Sequence, residues 1–123
     1  MNARIYKKLC GVAARRGTVP YQEVGDLVQL DMANPAHRNE LAALLGDVSA
    51  HEHGLGRPLL SAVVVLAESG WPGQGFFDLA RECGRMRADQ DNLAFFALEL
   101  RAVHDHWCPP RPAALRKRPP PRP

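Results

Sequence analysis

Apolar residues recur at helical spacing in several stretches of the chain and run together in one. Ile5, Leu9, Val12 and Ala13 share one face of a first helix, and Gly17 stands where a C-terminal cap glycine belongs. The following "TVPY" reads as a short extended segment, because Pro20 biases Val19 away from helical geometry. A second helix begins near Gln22 and carries Val24, Leu27 and Val28 on one face. A turn at Asn34-Pro35 then introduces a third helix of about four turns, with Leu41, Leu44, Leu45 and Val48 in a stripe and Gly54 and Gly56 at its end.

The pattern changes in "GRPLLSAVVVLAESGWPGQGFF". Leu59 to Ala67 is apolar on both sides and β-branched in the middle, which predicts a strand covered by helices. Glu68 to Gly75 reads as the tip of a hairpin and Phe76-Phe77 as its return strand, running into the helix "FDLARECGRMRA". A long last helix follows, capped by Asp89 or Asp91. Its seam is Leu93, Phe96, Leu100, Val103 and Trp107, and a second stripe is Phe95, Leu98 and Ala102.

Composition places this pattern in one domain. The chain has 123 residues, 46% of them hydrophobic and 24% charged, enough for a modest core without staples. Its longest purely apolar run is far short of the roughly 20 residues of a membrane span, and no apolar leader opens it. Cys10, Cys83 and Cys108 form no CxxC and cannot all pair, which fits reduced thiols and a cytoplasmic protein without membrane contact. The net charge of +3 is unevenly spread. Residues 1–18 and residues 109–123 hold basic side chains and no acid, whereas all 13 acids lie between them. After Cys108 the proline- and arginine-rich text cannot build a core and is expected to be a disordered basic tail, leaving residues 1–108 as the folded domain.

Helix, extended segment, two helices, strand, glycine-rich turn and strand is the order of a winged helix. The expected fold is therefore α+β and winged-helix-like: mostly helical, with a small β-hairpin wing and a long C-terminal helix. The text "GTVPYQEVGDLV", the Asn-Pro turn, "RNELAALLG" and "SAVVVLAESG" together resemble the winged-helix DNA-binding domain of the alkylguanine alkyltransferases and alkyltransferase-like proteins, over roughly residues 6–77. The resemblance rests on Gly17, Val19, Tyr21, Glu23, Val24, Gly25, Leu44, Gly46, Val63, Val64 and Gly70. It implies that fold and a DNA-binding habit. The transferases carry a Pro-Cys-His-Arg motif just before this strand, and the alkyltransferase-like proteins usually a Trp-His-Arg there. Here Leu59, Leu60 and Ser61 keep neither, so alkyl transfer is not implied. The wording "GRPLLSAVVV…GWPGQGFFDLA" also resembles that of bacterial proteins to which no activity attaches.

Candidate chemistry is sparse. The outward residues of the third helix are expected to be His37, Arg38, Asn39, Glu40, Asp47 and Ser49, a poor phosphate grip with one arginine against two acids. His51/His53 and His104/His106 are two apart and point in opposing directions on a helix, so no metal site is expected. Ser61 lacks a nucleophile elbow, "GWPGQG" lacks the Lys-Ser/Thr of a phosphate loop, and free cysteines inside helices usually act as small hydrophobes. The chain is thus expected to be non-enzymatic, without a cofactor, and to bind nucleic acid, DNA in the first instance, through Lys7, Lys8, Arg38, Asn39 and Arg57. The alternative is a protein-interaction module that binds a partner or itself through Trp71, Phe96 and Trp107.

Overall fold

The computed structural model of the chain describes residues 1–109, so the expected basic tail lies, Pro109 apart, outside the described residues. Five helices and a two-stranded parallel sheet follow in the order α1 (Ala3–Ala14), β1 (Val19–Pro20), α2 (Tyr21–Leu27), α3 (Pro35–Gly54), a 3-10 turn (Leu60–Val63), β2 (Val64–Val65), α4 (Gln74–Glu82) and α5 (Asn92–Trp107). The protein is thus a mostly helical small domain. Among the described residues no helix is long and apolar enough to cross a membrane.

Local chemistry sets the helix starts. Asn2 Oδ1 accepts from Ile5 N at 3.0 Å, Asn34 Oδ1 accepts from Ala36 N at 2.9 Å with Pro35 next to it, and Asp91, of the two candidate caps, accepts from Ala94 N at 2.9 Å. The ends of α1, α3 and α4 share one device, in which a residue with left-handed backbone lets the next N–H reach back to the last turn. At the end of α1 that residue is Arg16 (φ 55), and Gly17, expected in the role, follows it and donates to Val12 O at 3.0 Å. Gly56 (φ 75) ends α3, so that Arg57 N donates to Glu52 O, and Gly84 (φ 76) follows α4, so that Arg85 N donates to Ala80 O.

The β-hairpin wing is not formed. β2 pairs with β1, which lies far upstream, and the pairing is parallel, with Val19 opposite Val64 and Pro20 opposite Val65. The apolar run therefore holds only two residues of strand. Its first half coils into the 3-10 turn, where α1, α3 and α5 surround it and bury every residue from Leu59 to Val65. A run that is apolar all round can be buried in either conformation, and helices on several sides satisfy it without a neighbouring strand.

Phe76-Phe77 is not a return strand either. Both residues lie in α4 and share its buried face with Ala80, their rings set edge to face at 5.3 Å and Phe76 beside Phe95 at 6.0 Å. The segment read as a wing tip is a loop closed on itself, with Leu66 N donating to Trp71 O at 2.7 Å and Gly70 (φ 74) N to Leu66 O at 2.8 Å.

Candidate functional site

A cavity of about 560 Å³ opens beside that loop, within the usual size of a small-ligand site. One wall is α3, whose Arg38, Ala42, Leu45 and Gly46 fall on one face by helical spacing. The opposite wall is Pro20, Tyr21 and Met32, and α4 contributes Gly75, Phe76 and Leu79. Leu66, Ala67 and Glu68 of the closed loop border it, and Ser61, buried in the 3-10 turn, lies at its base.

Two glycines keep this space open. Gly46 sits in the interior of α3, where glycine costs about 1 kcal/mol against alanine, and a Cβ there would meet nothing within 4 Å. The same holds for Gly75 in the first turn of α4. Neither position needs glycine for backbone strain or close packing. Both border the cavity, and neither adds a side chain to it.

Several of the polar groups around the cavity are held in place. Tyr21 Oη accepts from Gly73 N at 2.9 Å, and burial pushes its phenol above the usual range. Arg38 Nη1 donates to Met32 O at 3.1 Å and ties α3 to the loop ahead of it, leaving the other guanidinium nitrogens exposed. Asp31 N donates to His37 Nδ1 at 2.9 Å, and Asp31 Oδ1 accepts from Ala33 N. Ser49, expected to face outward, is fully buried behind the base, its Oγ 2.6 Å from Ser61 Oγ and accepting from Ser61 N at 3.0 Å.

Of the expected nucleic-acid residues only Arg38 borders the cavity. Asn39 and Lys7 are exposed, on α3 and α1, and Lys8 pairs with Glu23 at 2.7 Å. Arg57 belongs to a separate cluster. It grips the fully buried carboxylate of Glu52 through Nε (3.0 Å) and Nη2 (2.9 Å), while Tyr6 Oη donates to the same carboxylate at 3.1 Å. Burial, and then the negative charge of Glu52, push the Tyr6 phenol up to about 12. Burial likewise raises the nearby Cys10 thiol.

The expected partner-binding residues also separate. Trp107 is half-buried, under the Arg57 guanidinium at 5.6 Å and edge-on to Tyr6 at 6.2 Å. Phe96 is only 7% exposed and packs in the core, whereas Trp71 is 43% exposed on the closed loop. A second buried acid, Glu99, takes Leu59 N at 2.8 Å and Arg85 Nε at 2.8 Å.

The sequence reading missed Tyr21, Gly46, Gly75 and the Ser49–Ser61 pair as one site. The available signal was Gly46, a glycine inside an otherwise regular helical pattern. Among the described residues no group of three histidine, cysteine or acidic side chains is placed to hold a metal. No protein-family model, no curated protein and no solved structure matches this chain.

Proposed function

We propose that this chain is a non-enzymatic nucleic-acid-binding protein that takes a single unpaired base into the cavity between α3 and α4. The observation that carries the proposal is the open, largely apolar cavity kept free by Gly46 and Gly75. A base out of its stack needs an apolar slot of this kind, with aromatic and aliphatic walls for its faces and a few polar groups for its edge. Phe76, Tyr21, Met32 and Leu45 supply the walls, and Ser61 and Arg38 supply polar groups at the base and the opening.

The charges favour a base over a phosphate as occupant. Asp31 and Glu68 also line the cavity and repel an anion. Arg38 and the exposed Lys7 are left for phosphates outside it.

The test is fluorescence anisotropy of the full chain with a labelled duplex bearing one unpaired nucleotide and with the fully paired duplex, each at two salt concentrations. Tighter binding of the first, weakened by salt in both, is expected. Equal affinity for the two would refute the cavity's role. A second reading, an interaction module, is favoured by Trp71 (43% exposed) and Leu98 (66% exposed), and concentration-dependent self-association lost on Trp71→Ala would support it.

A further inference from the structure

The described chain ends close to the cavity. His104 Nε2 lies 2.9 Å from Gly17 O and Arg16 Nη1 donates to Cys108 O at 2.8 Å, so the end of α5 is fastened beside residues 16 and 17. Pro20, which lines the cavity, follows Gly17 by three residues, at most about 11 Å of chain. Beyond Pro109, residues 110–123 hold Arg111, Arg116, Lys117, Arg118 and Arg122, six prolines and no acid. At a polyproline rise of about 3 Å per residue they span roughly 40 Å, ample to reach and cross the cavity mouth.

The mouth has the complementary chemistry. Asp31 and Glu68 border the cavity and are exposed, and among the described residues neither takes part in an ion pair. Arg38, the one basic residue among the described residues of the lining, has Nη1 on Met32 O. Leu66, exposed at the rim, is tied through its N–H to Trp71 O at 2.7 Å, which sets the exposed Trp71 next to it. Proline-rich segments dock on aromatic surfaces of this kind, and arginines flanking the prolines meet acids beside the rings. From this charge and aromatic complementarity, and from the reach of the chain, we infer that the cavity mouth is a docking surface for the chain's own segment 110–123. The proline run 119–121 lies against Trp71 and Leu66, and Arg118 and Arg122 meet Glu68 and Asp31. This goes beyond the base-binding reading and does not rest on it.

The test is photocrosslinking of the full chain with Leu115→p-benzoylphenylalanine, which leaves every proline and basic residue of the segment in place. The protein is irradiated dilute and without nucleic acid, and the adducts are mapped by mass spectrometry. An adduct within one chain, to residues 66–76 or 20–33, is expected. Neutralising the mouth with Asp31→Asn and Glu68→Gln together should lower its yield about fivefold. Asparagine keeps the Oδ1 that accepts from Ala33 N, and Glu68 is exposed, so the fold is kept, as a melt matching the wild type shows. Glu68→Gln alone, on the exposed loop, should move the yield in the same direction. An adduct to the same residues in a crosslinked dimer overturns the inference by assigning the mouth to another copy's segment. Adducts confined elsewhere, no adduct, or a yield that neither neutralised variant lowers overturn it as well.

Discussion

Arg57 closes on Glu52 twice, once with its backbone N–H on the Glu52 carbonyl at 2.9 Å and once with its guanidinium on both carboxylate oxygens. Gly56 makes this possible, because its left-handed backbone turns the chain back over the last turn of α3. The same arrangement recurs after α4, where Gly84 turns Arg85 inward to a different buried acid, Glu99. Each Gly-Arg pair thus ends a helix and neutralises a core carboxylate, and between them they hold the segment that carries Ser61.

Removing Arg57 leaves the Glu52 charge buried with, among the described residues, only Tyr6 to hydrogen-bond it. Arg57→Ala is expected to lower the urea midpoint at unchanged slope. The paired change Glu52→Gln with Arg57→Met is expected to cost less than Arg57→Ala alone.

Glu99 joins Leu59 at the start of the 3-10 turn to Arg85. Glu99→Ala is expected to destabilise by about 2 kcal/mol, since it strands a buried backbone N–H and the Arg85 guanidinium together. Hydrogen exchange at Leu59 N should accelerate more than at the core amides of α1.

Alkaline pH should act through the tyrosines. The chain has two, Tyr6 and Tyr21, and burial raises both phenols, Tyr6 to about 12. The folded state thus favours the neutral phenol more than the unfolded state does, so this contribution is complete below the ordinary tyrosine pKa of about 10 and is lost as pH climbs through the folded values. Tyrosinate absorbance in the folded protein should rise only beyond pH of about 10, and the urea midpoint should begin to fall in that same range.

Gln29 has left-handed backbone (φ 62) after α2, with Leu30 N donating to Gly25 O at 2.8 Å. Gln29→Gly is expected to raise stability by about 0.5 kcal/mol, because it relieves the Cβ clash while keeping the turn. A thermal melt at fixed pH reads the effect directly.

The helices were legible where capping chemistry and apolar period agreed, as at Asn34-Pro35 before α3 and at Asp91 before α5. The sheet was not, because two-residue strands carry no alternation and the partner of Val64 lies at Val19. Phe76-Phe77 misled because adjacent aromatics suit a strand, while the helical evidence was the third member of their face, Ala80. The buried acids were invisible as such, since nothing at Glu52 or Glu99 distinguishes them from solvated helix positions. The Gly-Arg dipeptides at 56–57 and 84–85 were the readable trace of their partners.

The most direct measurement is the affinity of Gly46→Leu for the duplex with one unpaired base, beside a melt of the same variant. Leucine at this position meets no packed atom at its Cβ, improves helix propensity and fills the cavity. Unchanged or raised stability, with the preference for the unpaired duplex abolished, is the expected result. A variant that folds as well and still prefers the unpaired duplex as strongly as the wild type would contradict the cavity as the site where this protein holds its ligand.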